Sequence, residues 1–155
     1  MSSALCAVFA LAALCQSAIL GAGMFDAVVH SPNWRQAESL LAYRKLFRSR
    51  HPGHFFQVTA PATIVLLVTA LILSLLNDVS WVYAVVALAS LVATAVFTLI
   101  YFVPRNRMLF FEPVEDQPGK RTREIVRQWE RANVVRLLIL FTGAAASLFA
   151  LTALC

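Results

Sequence analysis

Four runs of apolar residues, each long enough to cross a lipid bilayer, decide what this chain can fold into. They cover about residues 4–29, 56–76, 81–103 and 134–153. At a rise of about 1.5 Å per residue, about 20 helical residues span a hydrocarbon core of roughly 30 Å. Composition says the same: 60% of the 155 residues are apolar, 14% are charged and the mean hydropathy is +0.74, whereas about a quarter of a water-soluble domain is charged. This excludes a soluble enzyme, a disulfide-built secreted module and a disordered tail. The first run carries no charge before Asp26 and lacks the Lys or Arg that opens a secretory signal, so it reads as a retained helix. The fold expected is an all-α integral membrane protein, one domain over residues 1–155. Its second and third spans form a hairpin about Asn77-Asp78, and the whole is a four-helix antiparallel bundle.

Charge placement orients it. Five Lys/Arg fall in the first loop (30–55) and eight lie between residues 105 and 136, which accounts for all 13. Positive loops stay cytoplasmic, so loops 30–55 and 104–133 are expected inside, with both termini and the Asn77-Asp78 turn periplasmic or extracellular. The net charge of +5 is then a topology signal of a multi-pass cell-membrane protein, and no nucleic-acid partner is expected. Pro104 is expected to end the third helix, because proline lacks a backbone donor and disfavours helix in the residue before it. The fourth helix is expected to start early, near Thr122, and to run on through Arg136. Cys6 and Cys15 lie too far apart along one helix for a disulfide, while both Cys6 and Cys155 fall near the outer face.

In lipid the polar residues carry the information, since each is costly without a partner or a wet cavity. Residues three, four and seven apart share a helix face, and on that spacing the first helix aligns Gln16, Gly23, Asp26 and His30. The second aligns His51, His54, Gln57 and Pro61, and the fourth Trp129, Asn133 and Arg136. With Asn106 beyond the third helix, these groups converge on the cytoplasmic end. Polar helix ends also suit a plain membrane interface, and Arg136 can snorkel there. A carboxylate, an imidazole, amides and a guanidinium together can instead move protons and hold an anion. His30 sits i,i+4 from Asp26, an arrangement that makes a proton acceptor working near neutral pH. His30, His51, His54, Asp26 and Glu130 are available to a metal but follow no ligand motif, so no metal or other cofactor is expected, although metal, haem and quinone stay open. No GxSxG elbow, Cys/His pair or Walker loop is present.

The run Val103-Pro104-Arg105-Asn106-Arg107-Met108-Leu109 carries a P-x-N-R-x-L pattern, and Trp129-Glu130-Arg131-Ala132-Asn133-Val134-Val135-Arg136 carries W-x-x-x-[N/H]-x-x-R. With the glycines at Gly21 and Gly23, the chain resembles the anthrone oxygenase-like family of small four-helix membrane proteins. The resemblance covers the whole chain in topology and is specific between residues 103 and 136. It implies a cofactor-independent oxidoreductase, a monooxygenase that turns an anthrone into an anthraquinone with oxygen. In that chemistry His30, oriented by Asp26, removes a carbon-bound proton, and Arg136, Asn106 and Asn133 stabilise the oxyanion. Trp129, Gln57, His54 and Gly23 would contact a hydrophobic aromatic or polyketide-like molecule arriving from the bilayer. The alternative is a non-catalytic subunit of a larger membrane complex or a homo-oligomer. A polar cluster inside one bundle favours the small-molecule site, and an outward-facing cluster favours the subunit.

Overall fold

The computed structural model describes residues 3–49, 53–111 and 120–154, and all the regular structure among them is helical. Helix α1 (Ser3–Phe25) continues through one π-helical turn, Asp26–His30, into a short turn Ser31–Asn33. Helix α2 covers Ala37–Ser49 and α3 covers Gly53–Leu76. Helix α4 (Val82–Phe97) passes through a second π-helical turn, Thr98–Phe102, into α5 (Val103–Phe110), and α6 is one helix over Lys120–Leu154. Four of these segments are long and apolar enough to cross a membrane: Ser3–Asn33, Gly53–Leu76, Val82–Phe110 and Lys120–Ala153. The chain is therefore a four-helix membrane protein.

Around the bundle α1 packs on α3, α3 on α4, α4 on α6 and α6 on α1. Pairs of contacts fix the directions. Gln16 meets Ser147 and Gly23 meets Leu137, so α1 and α6 are antiparallel. Gly143 lies against Ser90 while Trp129 lies against Phe102, so α4 and α6 are antiparallel too. Small residues permit this closeness, as expected where lipid gives no hydrophobic drive between helices. A Cβ on Gly143 would lie 2.6 Å from Ser90 Oγ and 2.8 Å from Gln16 Nε2. The Gln16 amide donates to the Ala87 carbonyl at 3.1 Å, Ser147 Oγ donates to Gln16 Oε1 at 2.6 Å, and Ser90 Oγ donates to the Ile139 carbonyl. Of the glycine pair in α1, Gly23 is packed against Leu137 and Gly21 faces open space.

Two expectations are corrected. Residues 37–49, expected as loop, form α2: Leu40, Tyr43 and Phe47 recur at helical spacing and pack on the aromatic cluster between α1, α5 and α6. Pro104 does not end the third helix, which runs on to Phe110. The π turn before it explains why. Its closing bond runs from the Val103 N–H to the Thr98 carbonyl, and the wider turn removes the clash that a proline ring makes with the carbonyl four residues back. The same device stands in α1, where the Ser31 N–H reaches the Asp26 carbonyl just before Pro32. The 35-residue α6 is continuous from Lys120, as the early start near Thr122 anticipates. Cys15 is a free thiol, while His51 and Cys155, and with Cys155 any bond to Cys6, lie outside the described residues.

Candidate functional site

A cavity of about 500 Å³ opens between the helices at the end of the bundle away from the Asn77-Asp78 turn. That is a size suited to a drug-like ligand. Its wall is mostly apolar, with Ile19, Ile64, Leu91 and Leu140 toward the middle of the bundle and Trp34, Phe47, Phe110 and Trp129 at the loop end. Among them stand Asp26, Gln57, Thr94, Thr98, Asn106 and Arg136. Six of the nine residues singled out from sequence therefore line one space: Gly23, Asp26, Gln57, Asn106, Trp129 and Arg136.

The other three stand off the wall. His30 lies behind Asp26, its Nδ1 within hydrogen-bond distance of Asp26 Oδ1 at 2.7 Å. Its ring is packed by Phe25, Tyr43, Trp34 and Phe47. The π turn sets this pair at the end of α1. Asn133 is buried and donates from Nδ2 to the Gly23 carbonyl at 3.4 Å, so it clamps α6 to α1, while its Oδ1 has no partner. His54 is exposed near the start of α3.

Arg136 is the dominant charge of the wall. It is 8% exposed, its guanidinium carbon lies 4.3 Å from the Phe102 ring centroid and 5.6 Å from that of Trp129, and its Nε and Nη2 have no hydrogen-bond partner. Stacking on rings holds the cation while leaving N–H donors uncommitted. Trp129 Nε1 donates to Asn106 Oδ1 at 2.8 Å, which fixes the amide. Trp34 Nε1 and Thr94 Oγ1, on wall residues, are also buried without a partner. Buried polar groups in folded proteins are nearly always paired. This cavity is thus lined by residues that keep buried, unpartnered donors, together with a single carboxylate, Asp26.

The loop end is held shut by α2. Arg35 makes a two-point ion pair with Glu130, at 3.1 and 2.5 Å, and Arg44 Nε donates to the Leu109 carbonyl at 2.7 Å. The Glu130 hydrogen bond and charge raise the Arg35 pKa, whereas burial, and secondarily Arg48, lower that of Arg44. Arg105 stacks on Tyr101, 3.5 Å from its centroid. Sequence reasoning missed Trp34, Phe47 and Phe110 as wall residues, and the 40/43/47 spacing in α2 was the available signal for the element that supports them. It also missed Thr94 and Thr98, single hydroxyls in a long apolar run. Among the described residues no three or more His, Cys, Asp and Glu side chains gather as a metal site.

A family model described as anthrone oxygenase matches residues 47–146, almost two thirds of the chain. The match takes in Gln57, Asn106, Trp129, Asn133 and Arg136 and leaves out Asp26 and His30. No curated protein and no solved structure matches the chain.

Proposed function

The chain belongs to the anthrone oxygenase family, and from that premise we propose that it is a membrane-embedded, cofactor-independent oxygenase acting on a flat, lipid-soluble aromatic ketone. The observation that carries this reading is the mostly apolar cavity with unpartnered Arg136 N–H groups and the Asp26 carboxylate on one wall. The substrate's ring-flanked CH2 is acidic because its anion spreads onto the ketone oxygen. Asp26 takes the proton, with His30 behind it orienting the carboxylate and sharing the charge. Arg136 and Asn106 donate to the oxygen as it becomes an oxyanion. Dioxygen accepts electrons from the carbanion and bonds to that carbon, and loss of water leaves a second carbonyl. One CH2 and one O2 become one C=O and one H2O.

The cluster faces the interior of a single bundle, which favours this reading over an accessory subunit. On this reading the cavity opens at the cytoplasmic face, because Lys/Arg-rich loops stay inside. The test is oxygen uptake and quinone absorbance with 1,8-dihydroxyanthrone and protein in lipid nanodiscs. Empty nanodiscs supply the background rate of spontaneous oxidation. Turnover well above that background is expected, with a fall of about 10²-fold in Asp26→Asn. A wild-type rate equal to the background overturns the reading.

A further inference from the structure

The exposure of the cavity wall is one-sided. Four wall residues are exposed, and all four lie on two neighbouring segments: Gln57 and Pro61 on α3, Leu99 and Val103 on the α4–α5 segment. Leu99 is 66% and Val103 50% exposed. The wall residues contributed by α6 are all buried. The loop end is plugged by Trp34, Phe47, Phe110 and Trp129, each 5% exposed or less, and α2 is pinned beneath them by Arg44 and, in the turn just before it, by Arg35.

The two framing segments face each other at one depth. Pro61 lies fifteen residues before the end of α3 at Leu76, and Leu99 seventeen residues after the start of α4 at Val82. At about 1.5 Å per residue both are roughly 22–26 Å from the turn that joins the helices. Gln57 and Val103 lie about one turn further on, where a hydrocarbon core of roughly 30 Å ends. Beside Pro61, and four residues before Leu99, the wall carries the small side chains Ala60 and Ala95. The exposed part of the wall therefore begins in hydrocarbon and reaches the interface, the depth at which a flat molecule with an apolar body and oxygens along one edge comes to rest.

We infer that the cavity is loaded and emptied sideways from the bilayer, through a slot between α3 and α4–α5 framed by Gln57, Pro61, Ala95, Leu99 and Val103, and that it admits only molecules that first dissolve in lipid. The inference rests on the reading of the cavity as a small-molecule site. It assigns Ala95 and Leu99 as the residues that gate entry. A permanently charged relative of the same ring system is refused because it cannot reach the slot, although Arg136 inside would welcome its charge.

The probe is 1,8-dihydroxyanthraquinone, dissolved in the membrane of liposomes carrying the full chain, with binding followed by stopped-flow absorbance so that no turnover is needed. Ala95→Phe, which fills the slot, is expected to slow association and dissociation together by about tenfold. Leu99→Ala, which widens it, is expected to speed both by severalfold, a gain that a misfolded protein would not give. Anthraquinone-2-sulfonate added from the water is expected not to bind. Wild-type rates in both variants, with the probe binding, overturn the slot and leave the oxygenase reading standing. Binding of the sulfonate from water at the rate of the lipid-borne probe also overturns it. Failure of the wild type to bind the lipid-borne probe overturns the small-molecule reading and the slot with it.

Discussion

At the turn end of the bundle Leu5, Phe9, Ala70, Ala84 and Ala150 meet in an apolar cluster. Just inward, Gln16, Ser90 and Ser147 find every partner they need in one another and in two carbonyls. At the loop end the cluster is aromatic, built from Trp34, Phe47, Phe102, Phe110 and Trp129. There Trp34, Thr94, Asn133 and Arg136 keep buried polar atoms without partners, against a single serine, Ser74, at the turn end among the described residues. The same four helices thus bury polarity in two ways. Where small residues let backbones touch, hydroxyls and amides tie helix to helix. Where aromatic rings crowd the loop end, a cavity is left between the helices, and Trp34, Thr94 and Arg136 on its wall keep buried polar atoms without partners.

That difference is open to attack from both sides, and the largest effect is expected at Arg136. Arg136→Met keeps much of the side-chain volume and removes the buried cation with its two unpartnered nitrogens. Oxidation of 1,8-dihydroxyanthrone is expected to fall by about 10²–10³-fold, while the thermal midpoint in detergent, followed by circular dichroism, stays or rises. A drop in both would make Arg136 a structural tie and erase the contrast. Gly143→Val attacks the other half. Its new side chain would press on Ser90 and Gln16, and the expected cost is about 1–3 kcal/mol in denaturant titration. Gln16→Leu removes the bond to Ala87 and strands Ser147, which is expected to cost about 1 kcal/mol and to leave binding of the quinone probe as it was. Altered binding there would mean that the two halves are coupled. The smallest effect belongs to Arg35→Ala, whose ion pair with Glu130 is exposed on the Arg35 side. Its thermal midpoint is expected to stay almost unchanged, and raising salt should have the same small effect on the wild type.

The spans were the legible part of the sequence, while Gln16, aligned by spacing with the loop-end groups, instead ties the closed half together. Span length follows from bilayer thickness, and a 35-residue α6 follows from unbroken periodicity across Trp129, Asn133 and Arg136. The cavity was legible through residues whose cost in lipid demands a reason, which is how Asp26, Asn106 and Arg136 come to share one wall. His30 and Asn133 were found by the same signal but hold other groups in place, because spacing on a helix gives a face and not what that face meets. Thr94 and Thr98 escaped because a threonine hydroxyl is tolerated inside an apolar helix by bonding back one turn, as Thr98 does to the Thr94 carbonyl at 2.7 Å. Helix α2 escaped because its apolar residues are diluted among arginines.

The two π-helical turns, Asp26–His30 and Thr98–Phe102, have a consequence for how this chain tolerates insertions and deletions. Each holds one residue more than an α-helix would use for the same closure, so everything downstream is turned by about 100° relative to an uninterrupted helix. The helix acts as a dial with one added click. Removing a single residue from 98–102 would let an α turn make the same closure and keep Asn106 on the cavity wall, whereas removing one from the regular helix between Val103 and Asn106 would turn Asn106 to another face without touching any wall residue on α3 or α6. In this protein the length of a helix, counted in single residues, selects which side chains belong to the site.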